Sequence, residues 1–306
     1  MQTTLKNAFS LVGTGLHSGR PVRLTVAPSD VDTGIVFYRL DISDCDNAVP
    51  ARYNMVNDTK LCTRICNVAG VEVSTVEHLM AALAGCGVHN ARVEINGPEV
   101  PIMDGSAKRF VREILTVGVV PQGAPVSILK ILKPVSVSDG DAYVELTPSD
   151  TFEIDFEIEF AARAIGTQKQ MLNMQNGSFA RELSDCRTFC RKSDVDYMQA
   201  NGLARGGNLE NAVVVDDAIV LNAEGFRRSD ECVRHKMLDA LGDLALAGVP
   251  VLGQYRGVRA GHRMTNLLLR KMFATPDTFE IVTATPDEVT RLPGVGLTFE
   301  TLDLAV

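Results

Sequence analysis

Apolar residues recur at helical spacing from Val233 onward. Met237, Leu238, Leu241, Leu244 and Leu246 keep the period, and no proline interrupts them before Pro250. The pattern predicts a helix. His235, Asp239 and Asp243 follow one another at intervals of four, so they stand a turn apart on one face. Hydrophobic packing does not explain such a polar stripe. A second helix is predicted over Ser74 to Gly85, with Ser74 and Glu77 at capping-box spacing and Gly85 or Gly87 as the stop. A third starts near Asp104 or Ser106 and carries Phe110, Val111, Ile114 and Leu115. The last runs from about His262 to Phe273.

Elsewhere the period shortens to two. Val22 to Val26, Gly34 to Tyr38 and Ala91 to Ile95 read as strands. Val135 to Ser138 and Tyr143 to Leu146 flank the turn Asp139-Gly140-Asp141 and predict a hairpin. Phe152 to Phe160 alternates without a slip, which predicts one buried and one wet face. A further strand is expected from Val249 to Tyr255. The glycine-rich segment 13–19 lacks the lysine of a phosphate loop and is read as a turn. Proline and glycine in 117–125 suggest a linker.

The halves echo each other. Glu77-His78-Leu79-Met80-Ala81-Ala82-Leu83-Ala84-Gly85 resembles Arg234-His235-Lys236-Met237-Leu238-Asp239-Ala240-Leu241-Gly242, about half a chain length away. The expected fold is therefore α+β: two similar domains, each a sheet layered with two main helices. A site between them would draw ligands from both. The expected boundaries are residues 1–124 and 125–306.

Composition narrows the function. With 306 residues, 45% hydrophobic, the chain can bury a large core. A formal charge of −8 argues against general nucleic-acid binding, so an anionic substrate needs local cations. No leader pattern and no bilayer-length apolar run is present, so a cytoplasmic protein without stable membrane insertion is expected. The seven scattered cysteines suit free thiols. Three residues separate Cys62 from Cys66 and Cys186 from Cys190, a poor match to a structural zinc site.

If His78 joins His235 and Asp239 on one ion, two imidazoles and a carboxylate leave the fourth position of a tetrahedral zinc open for water. Such a water can attack an amide or ester. Glu77 is then placed to take its proton, His262 to protonate the leaving amine, and Asp243 to orient that imidazole. Plainer readings stand beside this one. Glu77 fits a capping box equally well. His235 with Asp239 fits a surface pair, and Asp243, Lys236 and Arg259 fit solvated charges. His262 fits a loop, and His17 and His89 fit structural roles.

At these residues the sequence resembles the zinc-dependent UDP-3-O-acyl-N-acetylglucosamine deacetylases of lipid A synthesis. The likeness is carried in order along the chain. It begins with Gly13-Thr14-Gly15-Leu16-His17-Ser18-Gly19, Leu61-Cys62-Thr63 and Ser74-Thr75-Val76-Glu77-His78-Leu79. Pro101-Ile102-Met103-Asp104-Gly105-Ser106, Arg187-Thr188-Phe189 and Val214-Val215-Asp216-Asp217 follow, then Val233-Arg234-His235-Lys236-Met237-Leu238-Asp239 and Gly261-His262. The resemblance implies that the two similar α+β domains pack face to face with the active site between them, and one zinc ion on His78, His235 and Asp239, with Glu77 as base, His262 as acid and Asp243 steadying it. It implies that Thr188 polarises the acetyl carbonyl and that Lys236 and Arg259 lie near a diphosphate. Phe160, Phe189, Leu61 and Cys62 are the other implied substrate contacts. The implied reaction is hydrolysis of the N-acetyl group of an acylated UDP-amino sugar, releasing acetate. An apolar passage at about 190–220 takes the acyl chain, with Val195, Met198, Leu203 and Leu209 as candidate lining.

Several positions depart from the family's usual pattern: Lys60, Ala142, Ala161-Ala162-Arg163, Arg191 and Lys192. They suggest an altered acyl-chain preference. The competing readings are a zinc amidohydrolase for another N-acetyl sugar and a non-catalytic metal- or nucleotide-binding module. The apolar tail Leu302-Asp303-Leu304-Ala305-Val306 is a candidate recognition element for a regulatory protease.

Overall fold

The computed structural model describes residues 1–299. Among these, six α-helices occur: α1 Glu77–Gly85, α2 Lys108–Val117, α3 Lys192–Ala200, α4 Glu231–Ala245, α5 His262–Ala274 and α6 Pro286–Thr290. In the first half five strands lie side by side in the order Phe9–Thr14, Pro21–Pro28, Ala91–Ile95, Ile35–Arg39, Ala48–Pro50. Only the Ile35–Arg39 and Ala91–Ile95 pair is parallel. In the second half Val135–Asp139, Ala142–Thr147, Val251–Val258, Phe152–Glu159 and Thr167–Asn173 repeat that order. Again one pair is parallel, Phe152–Glu159 with Val251–Val258. A helix precedes each central strand and another follows it, α1 and α2 in one half, α4 and α5 in the other. The echo in the sequence is thus a repeated topology in an α+β fold.

The local reasons are those of the pattern. Phe152, Ile154, Phe156 and Ile158 are buried, while the intervening acidic residues keep partial contact with solvent. Asp139-Gly140-Asp141 turns the expected hairpin, with Gly140 at φ +57°. One large apolar core runs through both halves, and a small second cluster forms at Val126, Ile128, Leu252 and Leu292. At its centre α1 packs on α4, and nearly every residue of α1 is buried. Each of these two helices is therefore covered by its own sheet and by the other helix, which explains why they read as apolar over more than one stripe.

The structure departs from the expected elements in four places. No Ser74–Glu77 capping box forms: α1 begins at Glu77, and no side chain caps it. Thr75 sits at φ +57°, a turn that ends the preceding extended segment and starts the helix late. Helix α2 also starts late, at Lys108, because Met103 and Gly105 are left-handed and Asp104 is tied up by Ser106. Within the expected linker, Val119–Pro121 forms a strand against Thr3–Leu5. Finally α5 is not the last helix: Phe279–Thr283 returns beside Ser127–Ile131, and α6 follows with a Thr285–Glu288 capping box. No helix among the described residues is long and apolar enough to cross a membrane.

Between 174 and 229 the chain forms short pieces that no periodicity announces. Phe189–Arg191 runs parallel to Val213–Asp216, and α3 lies between them in sequence. This insert docks on the glycine-rich turn of the first half, where Gly206 N–H donates to the Leu16 carbonyl. The tail 302–306 lies outside the described residues.

Candidate active site

Helix α4 reaches α1 through a glycine. A Cβ on Gly242 would lie 2.0 Å from the Glu77 carbonyl oxygen, so only the absence of a side chain allows this approach. It brings the first turn of α1 over the middle of α4. The His78 and His235 rings meet edge to face at 5.1 Å. Asp239 Oδ1 lies 3.4 Å from His235 Nε2 and 3.6 Å from His78 Nε2. All three side chains are buried, and Asp239 Oδ1 has no hydrogen-bond partner among the described residues. A tetrahedral ion with bonds of about 2.0–2.1 Å sets its ligands roughly 3.4 Å apart. A buried carboxylate oxygen with no partner, facing two imidazole nitrogens at that spacing, fits a metal ion.

The surrounding groups prepare these donors. His235 Nδ1 lies 3.1 Å from the Cys186 carbonyl, which only accepts, so the ring proton sits on Nδ1 and the Nε2 lone pair faces the cluster. Burial pushes the His235 pKa down to about 3, keeping the imidazole neutral. Burial opposes the charge on Asp239, but the Lys236 cation beside it helps to outweigh that and hold the carboxyl well below its usual range. Lys236 Nζ donates to Asp239 Oδ2 at 2.6 Å.

Beside the cluster stand two further buried ionisable groups, Glu77 and His262. Glu77 Oε2 accepts the Thr63 N–H at 3.0 Å, and Oε1 is 3.9 Å from His262 Nε2. Burial raises the Glu77 pKa, against the pull of His262 and His78. His262 opens α5, and its Nδ1 lies 2.8 Å from Asp243 Oδ2. Burial disfavours its cation, yet Asp243 and Glu77 prevail and hold its pKa up at about 9. Both shifts are upward: Glu77 rises toward neutrality and His262 rises past it, so that at neutral pH one group is suited to accept a proton and the other to give one. Asp243 is buried, not solvated, and its other oxygen accepts the Thr63 hydroxyl at 2.5 Å.

Phe189 touches the His235 ring at 6.2 Å and Phe160 at 5.3 Å, so both aromatics lie along one side of the cluster. Thr188, between Phe189 and the buried Arg187–Glu231 ion pair, has a hydroxyl with no partner among the described residues. Leu61 is exposed at φ +77°, and Cys62 beside it is buried, its thiol pushed up to about 12 by burial and by Glu77. Arg259 lies apart from the cluster, paired with Asp141 and Glu159. Val195 and Met198 on α3 and Leu203 are half-buried, and Leu209 is exposed. Among the departures, Arg191 pairs with Asp194, Lys192 with Asp216 and Arg163 with Asp217. All seven cysteines are free.

Sequence reasoning missed Thr63. It ties Glu77 and Asp243 together through its backbone and its hydroxyl, yet only its place after Leu61-Cys62 drew notice. The Cys186 carbonyl was equally invisible, since a backbone oxygen has no residue signature.

The family model for UDP-3-O-acyl N-acetylglycosamine deacetylase matches residues 2–274. A UDP-3-O-acyl-N-acetylglucosamine deacetylase of Phenylobacterium zucineum (strain HLK1) is 50% identical over 286 residues, 94% of this chain and 98% of that one. The proteins of the same description from Anaeromyxobacter sp. (strain Fw109-5) and Haemophilus influenzae (strain 86-028NP) are 46% and 45% identical. Each of those matches covers 93% of the relative, and they take in 94% and 92% of this chain respectively.

Proposed function

The chain belongs to the UDP-3-O-acyl N-acetylglycosamine deacetylase family, and from that premise we propose that it hydrolyses the N-acetyl group of an acylated UDP-N-acetylglucosamine. Water adds to the acetyl carbonyl, the C–N bond breaks, and acetate and the free amine leave. The observation that carries the reading is the buried His78, His235 and Asp239 triangle flanked by Glu77 and the Asp243–His262 pair.

His78, His235 and Asp239 hold one zinc ion in this reading, and the ion supplies Lewis acidity toward water and the amide oxygen. Glu77, made more basic by burial, takes the proton of the attacking water. His262, held cationic by Asp243, gives a proton to the departing nitrogen. Thr188 donates its unengaged hydroxyl to the oxyanion as it forms. Phe160, Phe189, Leu61 and Cys62 contact the sugar-nucleotide, with Lys236 and Arg259 as the cations on its side. The acyl chain follows Val195, Met198, Leu203 and Leu209. The altered residues near that insert favour an altered chain preference. We take the halves to divide near 124 and the tail to be a protease signal, in a protein of the cytoplasm.

The test is metal content together with acetate release from the acylated UDP-sugar. Glu77→Gln should retain about one zinc per chain and lose about 10²–10⁴-fold in kcat. His78→Ala should lose the metal itself. Turnover by Glu77→Gln at the wild-type rate removes Glu77 from its role.

A further inference from the structure

The ends of α1 and α4 remote from His78 and His235 wall a second cavity of about 190 Å³. Met80, Leu83 and Ala84 line it from α1, and Leu241 and Leu244 from α4. None of the residues assigned to the deacetylase reaction lines it. Pockets for drug-sized ligands run from about 300 to 1,000 Å³. This one therefore suits a short alkyl chain, not a whole lipid.

Two of its polar residues, Arg52 and His89, offer donors. The Arg52 guanidinium lies across Gly248, where a Cβ would fall 1.5 Å from Nη1. Arg52 is half-buried, and its guanidinium makes no hydrogen bond or ion pair with any described residue. A guanidinium at an apolar wall with all its N–H donors unanswered calls for an acceptor. His89 lines the same cavity, and its Nδ1 accepts the Thr3 N–H at 3.1 Å. The ring proton is therefore on Nε2, which adds a second donor. Burial pushes this imidazole down to about 4, so it is neutral at physiological pH. The one lining carboxylate, Asp32, is engaged through Oδ1 by Gln2 at 2.7 Å.

We propose that this cavity binds an aliphatic carboxylate, its chain between α1 and α4 and its head on Arg52. A carboxylate answers the guanidinium fork with two parallel hydrogen bonds, and each buried methylene adds to affinity. None of the residues proposed to take the acyl chain lines it, so the two sites can be tested apart.

Octanoate tests it, titrated into the full-length, zinc-loaded protein with isotope-labelled methionine methyl groups followed by NMR. The Met80 methyl, assigned through Met80→Leu, reports this cavity, and Met198 reports the passage. The expected result is a saturable shift at Met80, with octan-1-ol binding about tenfold or more weakly because the ionic head is missing. Arg52→Met should weaken octanoate by a similar factor and leave octan-1-ol unchanged. A Met80 resonance that does not move, a response at Met198 alone, or equal affinity for acid and alcohol in the wild type overturns the proposal. The last comparison needs no variant and stands even if Arg52→Met folds poorly.

Discussion

Asp243 shows how much one residue's meaning depends on where the fold puts it. On a helix it reads as a solvated carboxylate. Buried, it becomes a bridge, with one oxygen on the Thr63 hydroxyl and the other on His262. An acid must be protonated to act, so the rate should fall as pH rises through the His262 pKa, which its carboxylate neighbours hold at about 9. Asp243→Asn removes the nearer anion. The alkaline limb of kcat/KM against pH should then move to lower pH; a limb that stays put would show that Asp243 does not tune this imidazole. His89 gives a prediction about stability. Its folded-state pKa of about 4 lies below the ordinary 6.5. Between these values the unfolded chain binds a proton that the folded one refuses, so stability present above about 6.5 is lost as pH falls toward 4. His89→Gln should flatten that part of the melting-temperature profile, and an equally steep profile would assign the loss to other groups.

Among the elements, the pairing of α1 with α4 decides the geometry of the metal cluster. The contact depends on Gly242, whose missing side chain leaves room for the Glu77 backbone. Gly242→Ala forces the helices apart or bends them, at a cost of about 1–3 kcal/mol or more. We expect a lower melting temperature and a higher zinc dissociation constant together, because the same displacement separates His78 from His235 and Asp239. Calorimetry with a competing chelator reads both, and unchanged metal affinity would mean that the cluster tolerates the shift. Most helices and long strands were legible because their period is a direct record of which face is buried. The start of α1 was not. Ser74 and Glu77 have capping-box spacing, but Thr75 turns left-handed and hands the Glu77 carboxylate to the Thr63 N–H. The three- and four-residue strands Phe189–Arg191 and Val213–Asp216 were hidden too, since so few residues carry no period.

At the scale of the molecule, the proposed ligands come from both halves, and one large apolar core already joins those halves without them. Folding therefore does not wait on the metal, yet the metal binds only the folded arrangement. Chelation should lower the melting temperature and leave the far-ultraviolet circular dichroism unchanged. At a free zinc concentration about a hundredfold above its dissociation constant, the stabilisation lost is about 2.7 kcal/mol. Loss of secondary structure on chelation would mean that the ion organises the fold.

By itself the sequence determined the periodic elements, the repeat that relates the halves, and the stripe of His235, Asp239 and Asp243, because spacing along a helix is a local property. The tertiary structure alone decided that His78 meets that stripe, that Thr63 ties Glu77 to Asp243, and that Arg52 faces an apolar cavity without a partner. Those pairs are far apart in the chain. Their meeting is set by which surfaces pack, and packing is a property of the whole core that no single stretch of residues carries.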